Sequence, residues 1–170
     1  MKFDPASILS DADVRTALRY MNLYQLRNPP VILAPDGEPY LYRWYIAHNN
    51  DAANVYFHIQ VKSDPERPLH DHPWHNTSVI LGGGYDETFR HAPWVNINAD
   101  DCTRSLRKGD TLFRLATTAH RLILPPDIPY AMTLFSTGPK HREWGFWYPD
   151  GFHHNKRHVL NRNGMSVHEH

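Results

Sequence analysis

The sequence predicts an all-β fold, a closed or double-sheet barrel behind a short helical segment, and three observations carry that reading. Aromatic residues (5 Trp, 9 Tyr and 7 Phe) fall with β-branched residues in short runs broken by 14 prolines and 9 glycines, the usual texture of a barrel or sandwich. Residues 55 to 61 set Val55, Phe57, Ile59 and Val61 against Tyr56, His58 and Gln60, the period-two pattern of a strand with two different faces. Nine segments of this kind follow one another between turn signals, with no alternation of strand and helix that would build a parallel sheet.

Taken in order, residues 4 to 28 carry apolar side chains at Ile8, Val14, Leu18, Met21, Leu23 and Leu26, which predicts one or two helices with Ser10-Asp11 as the N-cap. Pro29-Pro30 ends the helical region, because proline lacks the backbone donor and disfavours a helical residue before it. Val31 to Ala34 and Tyr40 to Ala47 flank Pro35-Asp36-Gly37-Glu38, a turn sequence that makes them a hairpin. Further strands are expected at Thr77 to Leu81, Tyr85 to Arg90, Thr111 to Leu115, His120 to Leu124, Met132 to Ser136 and Glu143 to Tyr148. Gly82-Gly83-Gly84, Lys108-Gly109-Asp110, Pro125-Pro126-Asp127 and Thr137-Gly138-Pro139 are read as the turns between them. Phe152 to His170 is polar and basic and is expected to be a short helix or a loose tail.

No repeat or linker divides the 170 residues, so one domain is expected: a helical segment over 1–30, the barrel over 31–150 and a polar tail over 151–170. Charge is balanced, 18 basic against 18 acidic, which leaves no field to draw the chain to nucleic acid or to an anionic membrane. The lone Cys102 has no disulfide partner and sits beside Asp100 and Asp101, which would not lower its pKa, so it reads as inert. The N-terminus lacks the pattern of a secretory signal and no apolar run is long enough to cross a bilayer. A soluble protein of a reducing cytoplasm is the expectation.

Chemistry concentrates at Leu69-His70-Asp71-His72-Pro73-Trp74-His75. Thirteen histidines raise the prior for a metal or acid-base site without locating it. In an extended chain His70 and His72 point to one side and can present two imidazoles to one point inside a barrel. Alone, such a pair is as often two hydrogen-bonded surface histidines. A third imidazole must come from elsewhere, and His120, opening the strand His120-Arg121-Leu122-Ile123-Leu124, is the best candidate.

At these residues the chain resembles the cupin superfamily, whose first motif is His-x-His followed by Glu and then Gly, and whose second is Gly-x5-Pro-x-Gly-x2-His-x3-Asn. His70-x-His72 lies upstream of Gly84, and Gly109 precedes His120 at the family's spacing. The resemblance spans about Leu69 to Leu124 and implies a cupin-type double-stranded β-helix, a jelly-roll barrel, holding one divalent metal on His70, His72 and His120. The sequence departs where the family's glutamate should fall, at Asn76 or Thr77, and has Leu115, Thr117 and Leu124 at the second motif's Pro, Gly and Asn positions. A three-histidine set without a carboxylate is similar to the iron centres of thiol dioxygenases and some diketone dioxygenases of the superfamily.

The activity so implied is an Fe(II)-dependent dioxygenase acting on a small polar organic molecule, with Ni, Mn and Zn as alternative metals, since imidazole suits several and the affinity order does not separate them. Two other readings stay open: a non-catalytic small-molecule-binding or sensing cupin, and a metal-dependent sugar isomerase. A homodimer through strands and the N-terminal segment is the assembly the resemblance suggests. His75, three residues after His72, is the candidate catalytic base or fourth ligand, and His58 a candidate pocket residue. Asp71 and Glu87 read as solvated or as outer partners of a ligand, with Asp71 in view for orienting an imidazole. Among the arginines in strands, Arg121 should face away from His120, leaving Arg142 or Arg114 to anchor a substrate carboxylate. Trp74, Trp144, Phe146 and Trp147 read as barrel core.

Overall fold

The computed structural model describes residues 3–27, 29–49, 51–66, 68–95, 100–155, 158–160 and 166–168. A 3-10 turn at Pro5–Ser7 leads to helix α1, Asp11–Leu23, whose N-cap Ser10 accepts from the Asp13 N–H through its side chain. The strands are β1 Val31–Leu33, β2 Pro39–Asn49, β3 Ala53–Gln60, β4 Leu69–His70, β5 Asn76–Arg90, β6 Cys102–Arg107, β7 Thr111–Arg114, β8 Ala119–Ile123, β9 Ala131–Thr137, β10 Gly145–Tyr148 and β11 Gly151–His154. A separate pair, β12 His158–Leu160 and β13 Ser166–His168, follows.

Hydrogen bonding runs β1-β2-β3-β9-β5-β8-β4-β10-β11, with β6 and β7 also on β5, and every pairing is antiparallel. The fifteen-residue β5 joins the two layers of this barrel. Its first half, to Gly83, pairs with β7 and β9, and its second half, from Gly84, pairs with β6 and β8.

The triplet Gly82-Gly83-Gly84 is therefore not the turn that the sequence suggests; it is the corner at which one strand passes from layer to layer. Gly83 has φ of 58°, and a Cβ there would stand 2.1 Å from the carbonyl oxygen of Tyr130. At Gly84 the same atom would meet the Leu106 carbonyl oxygen at 2.3 Å. Gly83→Ala is expected to destabilise the protein by about 2–4 kcal/mol, from left-handed strain and backbone displacement together, read as a lower denaturant midpoint.

Helix α1 covers the outer face of this corner. Asp13, 4% exposed, accepts from the Tyr130 hydroxyl at 2.8 Å, the Gly83 N–H at 3.2 Å and Lys108 Nζ at 2.7 Å. Val14, Ala17, Tyr20 and Met21 pack on Trp44, Phe57, Ile59 and Met132, whereas Leu18 and Leu23, counted as apolar face in the sequence, are exposed. That covering explains why β3 is buried on both sides: Phe57 and Ile59 lie under the helix, and Tyr56, His58 and Gln60 are buried on the opposite face, where His58 and Gln60 line the barrel cavity.

Two further corrections concern strands. Cys102–Arg107 forms β6 along the second half of β5, a strand the sequence does not announce because Leu106 is its one buried residue. The expected C-terminal tail begins as a hairpin, β10 with β11, in which Phe152 packs on Trp147 at 5.1 Å and His153 on Tyr148 at 4.7 Å. Residues 158–160 and 166–168 are also strand rather than helix or loose chain, while Lys156 and Arg157 lie outside the described residues. Among the described residues no helix is long and apolar enough to cross a membrane.

Candidate metal centre

His70 and His120 are direct cross-strand neighbours between β4 and β8. His72 lies two residues past His70, its backbone fixed by an N–H bond to the Ala116 carbonyl at 3.1 Å. The expected parity is thereby realised. One nitrogen from each of the three imidazoles lies within 4.8 Å of the others, and Nε2 of His72 and Nε2 of His120 are 2.7 Å apart. Among the described residues this trio is the cluster whose atoms converge in the way a metal ion needs.

The ring nitrogen of His120 that faces away, Nδ1, is bonded to Glu87 Oε1 at 2.6 Å. Glu87 is fully buried and also takes Arg114 Nε at 2.6 Å and Arg104 Nε at 2.5 Å. Burial opposes its charge, but the His120 hydrogen bond and the Arg114 guanidinium outweigh burial and hold its carboxyl well below the usual range. A carboxylate on Nδ1 fixes the imidazole tautomer so that Nε2 presents its lone pair to the cluster. The carboxylate that performs this duty is thus Glu87, not Asp71. Asp71 is equally buried, yet its oxygens accept from the Gly145 N–H, Arg142 Nη1 and Trp147 Nε1, none of them a ring of the trio.

His72 is shifted far below its ordinary pKa, first by burial and then by His120 and Arg114. It is neutral at pH 7, the form that donates a lone pair to a metal. Three converging imidazole nitrogens, one of the rings backed by an anion, are a donor set that fits a divalent cation.

The trio opens onto a cavity of about 170 Å³ between the two layers. Trp74 stacks on His72, centroids 4.7 Å apart and planes at 10°, so it forms wall rather than core. Phe146 is core, 2% exposed, and its ring lies 6.0 Å from that of His70. Arg114, 2% exposed, lines the cavity with every nitrogen engaged, by Glu87, Ser78 Oγ, Asn76 Oδ1 and the Tyr85 hydroxyl. His58 also lines it, lying between the rings of Tyr56 and Phe135.

Two sequence candidates lie elsewhere. His75 is exposed, its Nδ1 accepting from the Ala116 N–H at 2.9 Å, and its ring meets Phe113 and His141 rather than the cavity. Arg142 is bound to Asp71 at 2.7 Å and to the His72 and Ala116 carbonyls, bracing the loop from behind. Arg121 faces away from the trio, as its parity requires, into a separate recess beside Trp147. Arg43 and Tyr85 complete the site without having been foreseen, and Glu87, read from the sequence as solvated or as an outer partner of a ligand, is the carboxylate on His120. Their signal was an odd-numbered row in phase with large side chains, Leu41-Arg43-Tyr45 and Tyr85-Glu87-Phe89.

Comparison with known structures agrees with the fold. A DMSP lyase, DddQ, from Ruegeria pomeroyi superposes with a TM-score of 0.53 at 18% identity, covering 82% of this chain and 70% of that one. FeII HppE superposes with a TM-score of 0.51 at 10% identity, covering 64% of this chain and 56% of that one. The barrel is a cupin fold. This chain spans little more than half the length of HppE, and at these identities the likeness is one of fold. No protein-family model matches the chain, and no curated protein matches it by sequence. In the cupin barrel described here, the three histidines occupy one wall and the row through Arg43 and His58 another.

Proposed function

We propose that this cupin is a metal-dependent enzyme, an Fe(II)-dependent dioxygenase of a small polar organic molecule, with His70, His72 and His120 as the metal ligands. The observation that carries the reading is the convergence of three imidazoles, with no carboxylate among them, at the wall of a cavity of about 170 Å³. Bound there, iron(II) would supply Lewis acidity, one-electron chemistry and open coordination positions for substrate and oxygen. Glu87 keeps the Nδ1 proton of His120 in place, so that Nε2 stays available. Trp74 and Phe135, whose ring centroids are 5.6 Å apart, exclude water from one side of the cavity. Arg43 and His58 face the substrate space, and His75 and Arg142 take no part.

Protein reconstituted anaerobically with iron(II) is expected to consume oxygen only when one member of a panel of small thiols, hydroxy acids and diketones is present, and to lose that uptake in the His72→Ala variant. Conversion without oxygen uptake would replace the oxygenase reading with an isomerase or lyase. Ligand-dependent stabilisation without turnover would make the barrel a binding module.

A further inference from the structure

The cavity contains one cation that the protein leaves half used. Arg43 stands directly across from His58 in the β2–β3 register, and its Nε donates to His58 Nε2 at 3.1 Å. The guanidinium carbon lies 5.3 Å from the centroid of the Tyr56 ring. His58 is held neutral, well below its ordinary pKa, by burial and then by Arg43 itself, so it serves as an acceptor that aims the guanidinium without discharging it. Among the described residues Arg43 forms no ion pair, and neither Nη group donates to a protein atom.

The other charges contrast with it. Arg114 spends all three nitrogens on Glu87 and its neighbours. Arg142 is paired with Asp71. Asp64, the cavity's remaining carboxylate, has one oxygen taken by the Tyr40 hydroxyl and the other by the Leu122 N–H at 2.8 Å. A guanidinium fixed along its Nε edge and bare along its Nη edge presents two parallel donors, the fork that matches a carboxylate or phosphonate. A partly desolvated charge without a counter-ion is costly, and an anionic ligand group relieves that cost.

We infer that Arg43 is the anchor for a substrate oxyanion, and that the cavity takes a small molecule bearing a carboxylate or phosphonate. This deepens the proposed function and rests on the cavity being the substrate site. The expected carboxylate anchors of the sequence, Arg142 and Arg114, give way to Arg43 because both are already neutralised.

The test titrates lactate, methylphosphonate and neutral lactamide calorimetrically into wild-type, Arg43→Gln and Arg43→Lys protein, each with and without equimolar cobalt(II). Lactate or methylphosphonate is expected to bind wild type and to bind Arg43→Gln about ten- to a hundredfold more weakly. Lactamide should bind both equally weakly. Arg43→Lys, with the charge but not the fork, should lie between, and it reports on the site if the glutamine variant does not fold. The two anion arms distinguish a planar from a tetrahedral oxyanion. Equal anion affinity in wild type and variants, lactamide binding as tight as lactate, or no anion binding overturns the inference. Failure to take up cobalt would overturn the metal reading instead, and the Arg43 dependence would still be read in the metal-free arm.

Discussion

His120→Ala is expected to leave the protein nearly free of metal, with content falling from about one equivalent to below about a tenth of that. Elemental analysis of protein purified without a histidine tag checks it. The variant removes one of three donors and the one whose free nitrogen is pinned by Glu87 at 2.6 Å. It also costs stability, about 2–4 kcal/mol, because a side chain only 4% exposed is lost and Glu87 forfeits a buried partner. His70→Ala supplies the contrast. It should lose metal to the same degree, yet lose less stability, because His70 is less buried than His120. Full metal retention in either variant would break the ligand assignment, and equal stability losses would break the account of Glu87.

The parts of the site legible in the sequence are those that depend on local geometry. His70 and His72 share a side because strand parity is two, and His120 followed from its distance to Gly109 in a strand already visible. By the same parity Trp74 belongs with the two histidines, as its stacking on His72 shows, although composition alone made it look like core. The placement of Glu87 on His120, rather than Asp71, and the role of Arg43 were not legible because their meaning comes from pairing between distant segments. Nothing near Glu87 in sequence says that a bend at Gly83-Gly84 will place it against His120 and Arg114, residues from two later strands. The glycine triplet itself is ambiguous: a turn and a strand corner both need positive φ, and only the approach of the Tyr130 and Leu106 carbonyls decides between them. The helix showed itself through Ser10, but its buried face only in part: Val14 and Met21 pack as read, whereas Leu18 and Leu23 are exposed and Asp13 occupies a position where an apolar residue would be sought.

Glu87→Gln should have the largest effect on folding, about 3–5 kcal/mol, read from the denaturant midpoint of metal-free protein. The carboxylate is fully buried and is shared by His120, Arg114 and Arg104, so the amide leaves the guanidinium of Arg114, itself 2% exposed, without a counter-ion. If that stranded charge is the cause, adding Arg114→Met should recover part of the loss, because removing both members of a buried pair costs less than removing one. A double variant as unstable as the sum of the singles would show that the carboxylate acts through something other than the pair. Metal affinity should fall about ten- to a hundredfold in Glu87→Gln, since the amide no longer fixes the His120 tautomer by charge. Acid should reach the same network in two steps. His58 and His72 have depressed folded pKa values, so the unfolded chain takes up protons that the folded one refuses, and stability falls as pH drops below about 6.5. Glu87 is likewise depressed, so its contribution is complete above the unfolded carboxylate range, near pH 4.3, and is lost as pH falls further. In Glu87→Gln the second step should shrink while the first remains, a separation that simple loss of packing would not produce.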